Sequence, residues 1–207
     1  MVLSFTGEHT QKVDGKGRMS IPADFRRVLE AGDPDWTIGL FPRMYLLYGD
    51  HLKNQLHGYT VSEFNTLVGQ INALPRGSES KNKLSRLIIG QSIRLDVDKD
   101  GRTVMPINQR QKLGLTDGEL KFSGLGDHFE IWKAETYSQE VSGDMATWLA
   151  SQEDGFDPLI LLERITFPRM YPRLRRRRRL LLTLTPILFL ICFADYRRRR
   201  MNHCVGA

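Results

Sequence analysis

The feature that most constrains the fold of this chain is an internal repeat with a spacing of 84 residues. Both copies read D-x-x-G-R-x-x-x-P-x-x-x-R, as 14-DGKGRMSIPADFR-26 and 98-DKDGRTVMPINQR-110. Identities at fixed spacing over this length are hard to obtain by chance, and such self-similarity indicates a duplicated structural unit. The sequence therefore predicts two copies of one module within residues 1–163.

Each copy of the motif predicts a strand, a tight turn, a short strand and a helix. Glycine permits the positive φ of such turns, and aspartate bonds to nearby backbone donors. Proline is favoured in the first turn of a helix, which is where the motif places it. The residues expected to shape the turns and start the helices are Asp14, Gly17, Pro22, Arg26, Asp98, Gly101, Pro106 and Arg110.

Further elements follow from hydrophobic patterning. Two more strands are expected in each copy, at 36–41 with 45–49 and at 119–123 with 129–133. The chain from about Asp50 to Gly90 reads as helical with a break at 75–78, and a last helix is expected over 134–149. The predicted organisation is a first module at 1–56, a helical linker at 57–90, a second module at 91–142, a C-terminal helical segment at 143–163 and a tail at 164–207.

The net charge of +6 conceals two different parts of the chain. Of the 30 basic and 24 acidic residues, 12 arginines and one aspartate follow Glu163, which leaves 18 basic and 23 acidic residues in the body, a net charge of −5. The tail combines arginine runs with a short apolar run interrupted by Pro186. It fits a basic arm that binds phosphates, an arginine-flanked membrane anchor, or an out-of-frame read-through. The body itself predicts no membrane association.

The second turn superficially resembles a calcium loop. The segment 96-DVDKDG-101 places aspartates at positions 1, 3 and 5 and glycine at position 6 of that pattern. Position 12, which normally supplies a bidentate glutamate, is Ile107. In the first copy, Lys12 and Lys16 occupy two of the three aspartate positions. The repeat therefore argues against a metal site here.

No catalytic pattern is present in the body. Both cysteines lie in the tail, and the body has neither a G-x-S-x-G sequence nor a phosphate-binding loop. The five histidines show no ligand spacing and are interpreted as surface or packing residues. The sequence predicts a protein that is not an enzyme, with no cofactor, metal or small-molecule ligand. Because no signal peptide is visible, we expect a cytoplasmic protein.

Nucleic acid is the ligand class that uses the repeated residues. Residues 12–27 carry five basic side chains against two acids, a local charge of +3 on an acidic body. Arginine binds phosphate or the edge of guanine in a bidentate manner. The predicted DNA-contacting residues are Arg18, Lys16, Lys12 and Arg102. In an alternative that stays open, Asp14–Arg18 and Asp98–Arg102 are ion pairs that hold the turns.

The two D-x-x-x-R motifs, each followed by a proline-led helix, resemble those of the MraZ family of bacterial transcriptional regulators over residues 1 to about 160. The resemblance implies an α+β fold with two tandem AbrB-like swapped-hairpin β-barrel modules, which form an internal pseudo-dimer with a helical linker. It also implies a homo-oligomeric ring that binds direct repeats of double-stranded DNA in a promoter of the division and cell-wall genes. The family's DNA-binding arginine corresponds to Arg18.

The chain departs from the family pattern at two places, the acidic Asp100 beside Arg102 and the tail after Glu163. A body of net charge −5 should bind DNA weakly as a monomer, so repetition of the basic turn around an oligomer would supply avidity. We therefore expect a nucleoid-associated regulator. The rival hypothesis is an AbrB-like protein-interaction and oligomerisation module without specific DNA binding.

Overall fold

The computed structural model describes residues 3–162, in which eight strands form one antiparallel sheet. The strands are β1 (Glu8–Val13), β2 (Arg18–Ser20), β3 (Arg43–Leu47), β4 (Gln55–Thr60), β5 (Ser92–Asp96), β6 (Arg102–Val104), β7 (Gly118–Gly124) and β8 (His128–Lys133). Their order is β5-β3-β4-β8-β7-β1-β2-β6. The outermost strands, β5 and β6, are joined by a turn in which Asp98 N donates to Arg102 O at 2.8 Å. The sheet is therefore a nearly closed barrel.

Helices occupy the connections between these strands. They are α1 (Ala23–Ala31), α2 (Val61–Ala73), α3 (Glu79–Leu84), α4 (Ile107–Lys112), α5 (Ala134–Thr136) and α6 (Gly143–Ala150), with π-helical turns at Ser85–Ile89 and Tyr137–Ser142. The predicted helix over 134–149 is confirmed, as is the break between α2 and α3. The structure is thus of mixed α+β class.

Residues 154–162 belong to a second compact unit, of which residues 160–162 are helical. The tail at 164–207, with its three interpretations, lies outside the described residues. Among residues 3–162, no helix combines the length and apolar character needed to cross a bilayer.

Pairs of strands from the two repeats alternate around the barrel, with β3–β4 and β1–β2 from the first repeat and β8–β7 and β6–β5 from the second. β1 of the first repeat pairs with β7 of the second, and β5 of the second repeat pairs with β3 of the first. The remaining contacts between the repeats join β4 to β8 and β2 to β6. Neither repeat therefore has a complete sheet of its own, and the first strand of each completes the sheet of the other.

The barrel interior is filled by apolar side chains from both repeats. Phe5 and Phe129 meet edge to face with ring centroids 4.9 Å apart, and Phe25 of α1 lies 5.1 Å from Phe129. Phe25 and Leu29 are fully buried and Val28 nearly so, and their i, i+3, i+4 spacing in the sequence is that of one helix face. Burial of large aromatic and aliphatic side chains is the main favourable contribution to folding.

The strand predicted at 36–41 is wrong, because these residues form a loop. Ile38 is 95% exposed. The loop is held at its base by Asp33, whose carboxylate accepts hydrogen bonds from the backbone N and Nε of Arg43 at 3.1 and 2.8 Å. β3 already pairs with β4 and β5, so it has no open edge to receive another strand.

The helical prediction for residues 50–60 is also wrong, because β4 lies there. Gly58 interrupts the apolar alternation of this strand, which weakens its signal in the sequence. The structure explains that glycine, since a Cβ at Gly58 would overlap the ring of Phe129 on β8. β4 ends at Thr60, whose hydroxyl caps α2 by accepting a hydrogen bond from Glu63 N at 3.1 Å.

Candidate nucleic-acid interface

Each motif forms a compact turn around its aspartate. Asp14 Oδ1 accepts hydrogen bonds from the backbone N of Lys16 and of Arg18, both at 2.9 Å. The second copy repeats this arrangement, in which Asp98 Oδ1 accepts hydrogen bonds from the backbone N of Asp100 at 2.9 Å and of Arg102 at 2.7 Å. The Arg18 backbone N–H, together with the Arg18 side chain, holds the pKa of Asp14 below its usual value. The aspartate is therefore charged at neutral pH and fixes the shape of the turn.

The two turns are joined to each other by reciprocal backbone hydrogen bonds. Ile21 N donates to Gly101 O, and Met105 N donates to Gly17 O, both at 2.8 Å. These four residues are related by the same 84-residue spacing. Because β2 and β6 have only three residues each, the pairing places the two turns side by side.

The second arginine of each motif lies against the glycine of the other motif. A Cβ at Gly17 would contact the guanidinium of Arg110, and a Cβ at Gly101 would overlap that of Arg26. Arg110 Nη1 also donates to Gly15 O at 2.9 Å. The two arginines thus pack at the junction of the repeats.

The motif prolines immediately precede α1 and α4. The first turn of each helix includes a hydrogen bond from the motif arginine to the motif proline. Arg26 N donates to Pro22 O at 3.0 Å, and Arg110 N donates to Pro106 O at 3.2 Å. The P-x-x-x-R spacing therefore matches one turn of helix.

Three of the four predicted DNA-contacting side chains line one shallow cleft. The cleft has a volume of about 300 Å³ and is lined by Lys12, Asp14, Arg18, Met19, Ser20 and Arg102. Lys16 lies outside it, exposed at the tip of the first turn. Within residues 3–162, the ammonium groups of both lysines make no ion pair. We name the surface formed by Lys12, Lys16, Arg18 and Arg102 the basic face.

Of the two ion pairs considered for the turns, Asp14–Arg18 is present and Asp98–Arg102 is not. Arg18 Nε donates to Asp14 Oδ2 at 2.7 Å, and the arginine side chain is still 60% exposed. Arg102 instead places Nη1 3.9 Å from Asp100, and only its backbone N bonds to Asp98. Since a guanidinium has five N–H donors, the pair at Nε leaves the terminal groups of Arg18 for a ligand.

Comparison with known proteins identifies the family. A family model described as "MraZ protein, putative antitoxin-like" matches residues 4–87. The protein named transcriptional regulator MraZ of Ruegeria pomeroyi is 45% identical over 163 residues, which cover 79% of this chain and 97% of the relative. This chain belongs to the MraZ family. Its resemblance to that family is thereby confirmed.

Further MraZ proteins show a similar degree of likeness. The transcriptional regulator MraZ of Ruegeria sp. strain TM1040 is 45% identical over 159 residues, covering 77% of this chain and 95% of the relative. That of Cereibacter sphaeroides strain ATCC 17025 is 40% identical over 169 residues, covering 79% and 98%. The part of this chain that matches the MraZ family model includes the first motif and therefore Arg18.

Sequence reasoning missed the partners of Arg26 and Arg110. Both were expected to be residues of the motif helices, and their contacts with the opposite turn were not predicted. A signal existed in the repeat, because each copy carries a glycine and an arginine at matching positions. The pairing of β2 with β6 is needed to show that the glycine of each copy contacts the arginine of the other copy.

Proposed function

We propose that this MraZ-family protein is a sequence-specific DNA-binding transcriptional regulator, and that the basic face contacts the DNA. The observation that carries the proposal is the convergence of Lys12, Arg18 and Arg102 on one exposed cleft of an acidic body. Phosphate contacts from such side chains position a protein, and arginine also reads guanine edges. The printed name of the relatives, transcriptional regulator, supports the same function.

The fold proposed for this function is a pair of AbrB-like modules that exchange hairpins and form an internal pseudo-dimer. The modules span 1–56 and 91–142, with the linker at 57–90 and the C-terminal segment at 143–163. The pairing of β1 with β7 and of β5 with β3 supports this arrangement. In this scheme Arg18 is the main DNA contact, because Asp100 beside Arg102 makes the second turn more acidic than the first.

The protein acts in the cytoplasm, associated with the nucleoid, as a homo-oligomeric ring. Each subunit contributes one basic face, and the ring binds promoter direct repeats of the division and cell-wall gene cluster. The acidic body supports this proposal, because one small basic face gives weak binding by itself and repetition raises the effective concentration. No catalytic role or cofactor is proposed.

The test is binding of Arg18→Ala to promoter DNA, in a chain ended at Asp157 so that the arginine tail does not contribute. We expect the substitution to weaken binding by about 5- to 150-fold, since one lost bidentate contact costs about 1–3 kcal/mol. Arg27→Ala is the matched control, because Arg27 is exposed, lies in the same basic segment and pairs with Asp24 at 3.5 Å. Equal affinity of both variants in low-salt gel shifts contradicts the role of Arg18.

A second candidate function is that of a protein-interaction module. The body's net charge of −5 and the family description as antitoxin-like favour it. The same tail-free protein separates the two candidates. Retention on heparin or random DNA supports a DNA-binding regulator, and failure of retention supports the interaction module.

A further inference from the structure

A cluster of metal-ligating side chains lies on the outer face of the β4–β8 pair. His57 lies directly opposite Glu130 in the register of these strands, and His128 lies two residues before Glu130 on the same face. One possible ligand atom from each of the three lies within 4.8 Å of the others. In the strand order, this pair is on the side of the barrel opposite β2 and β6. The cluster is therefore separate from the basic face.

The distances within the cluster suit a shared cation. His57 Nε2 lies 3.6 Å from Glu130 Oε1, which is beyond hydrogen-bond distance. Two ligands at about 2.0–2.2 Å from one zinc ion can have this separation. The imidazoles of His57 and His128 lie with centroids 4.7 Å apart. All three side chains are mostly buried, with exposures of 15% for His57, 17% for Glu130 and 19% for His128.

His57 has a buried nitrogen, Nε2, that lacks a hydrogen-bond partner among the described residues. An imidazole nitrogen is a common ligand of transition metals, so a bound ion would supply the missing partner of Nε2.

The other two side chains are already held by outer partners. His128 Nδ1 lies 2.7 Å from Asp127 Oδ1, and Trp132 Nε1 donates to Glu130 Oε2 at 2.8 Å. Tyr59 stacks on the His128 ring at 5.1 Å. Carboxylates and other groups bonded to the far atom of a ligand orient it toward the metal. These contacts leave His128 Nε2 and Glu130 Oε1 as the ligating atoms.

We infer that His57, His128 and Glu130 bind one divalent transition-metal ion of the class that prefers imidazole nitrogen with a carboxylate, such as Zn²⁺. Borderline ions of this class match two histidines and a glutamate better than Mg²⁺ or Ca²⁺, which require oxygen ligands. Because β4 belongs to the first repeat and β8 to the second, the ion joins the repeats. Its binding therefore stabilises the folded barrel.

The test measures Zn²⁺ binding to the full-length chain by competition with a chromophoric chelator. Cys192 and Cys204 are replaced by serine, so that thiols outside the cluster do not bind the probe. We expect one Zn²⁺ per chain and a Tm that rises with the Zn²⁺ concentration. Failure to bind Zn²⁺ with this stoichiometry overturns the inference.

Substitutions in that background assign the ligands. His57→Gln, His128→Gln and Glu130→Gln should each weaken Zn²⁺ binding by more than about 100-fold. Asp127→Asn should weaken it by about 10–100-fold, because it removes only the orienting partner. Each variant is first checked for a cooperative thermal transition without metal. If one does not fold, the remaining variants decide the outcome.

His51→Gln is the matched control. His51 is an exposed histidine six residues before His57 in the chain, and it is outside the group of three ligands. We expect this variant to bind Zn²⁺ with unchanged affinity. Equal affinities in His51→Gln and in the folded ligand variants overturn the assignment of the site.

Discussion

Gly17 and Gly101 are residues at which the two repeats approach each other closely. Both have a positive φ, 86° and 75°, which β-carbon-bearing residues rarely adopt. Each also lies against an arginine of the opposite copy, so a side chain at either position has no space. One glycine thus meets two requirements, a turn conformation and a close approach.

Gly17→Ala should lower the free energy of unfolding by about 2–3 kcal/mol. The left-handed conformation alone costs about 1–2 kcal/mol for a residue with a Cβ, and overlap with Met105 O and the Arg110 guanidinium adds to it. The measurement is urea-induced unfolding followed by circular dichroism.

Gly15→Ala is the control for this prediction, because a Cβ at Gly15 meets nothing within 4 Å and its φ is not positive. Its effect should stay within about 0.5 kcal/mol. Similar losses in the two variants would show that the close approach at Gly17 has no energetic importance.

The loop between α1 and β3 is held in place by a buried ion pair between Asp33 and Arg43. Asp33 has a buried carboxylate that bonds to the backbone and side chain of Arg43. Arg43 reaches a second, exposed carboxylate at Asp35 with Nη2–Oδ2 2.6 Å. The Arg43 hydrogen bond is the largest cause that lowers the pKa of Asp33 below its ordinary 3.8. The loop at 36–41 is therefore anchored at its base.

Asp33→Asn should destabilise the protein by about 3 kcal/mol at neutral pH, because it removes one partner of a buried ion pair. Since the folded-state pKa is depressed, the charged Asp33 contributes stability above pH 3.8, and this contribution is lost as the pH falls through the folded-state pKa. The difference between wild type and variant should therefore shrink below about pH 4. Urea unfolding over a pH series measures it.

Asp35→Asn separates the buried pair from the exposed one. The Asp35 side chain is 79% exposed, so its loss should cost less than about 1 kcal/mol. A pH-independent difference for Asp33→Asn would show that the buried carboxylate is not the origin of the effect.

At the scale of the whole molecule, the two repeats are one folding unit. Pairs of strands from the two repeats alternate around the barrel, and a single apolar core receives side chains from both. The two proposed sites lie on opposite sides of the barrel, the basic face beside β2 and β6 and the histidine cluster on β4 and β8. Binding at one surface therefore leaves the other accessible on the same chain.

On the proposed function, DNA affinity depends on the number of repeats that the ring contacts at once. DNA with several direct repeats should bind at least about 100-fold more tightly than DNA with one, because later contacts are intramolecular. Both affinities should fall with added salt, more steeply for the longer DNA because more phosphates are contacted. Fluorescence anisotropy at two salt concentrations tests this, and equal affinities for the two DNAs contradict ring binding.

Features that depend on local chemistry can be predicted from the order of the residues alone. The turn glycines, the proline-led helices, the apolar face of α1 and the helix after β8 all follow from short-range rules of conformation and patterning. The 84-residue spacing also placed Arg18 and Arg102 among the candidate DNA contacts, and the local basic charge of residues 12–27 added Lys12. These predictions need no knowledge of which strand lies beside which.

Features that depend on strand pairing became visible only in the folded barrel. Residues 36–41 carry a strand-like pattern but find no free edge beside β3, whereas β4 forms despite Gly58 because Phe129 covers it. His57 and Glu130 likewise meet only because β4 pairs with β8. Contacts between residues far apart in the chain depend on how the whole core assembles. The spacing of residues within one element does not predict which strands will pair.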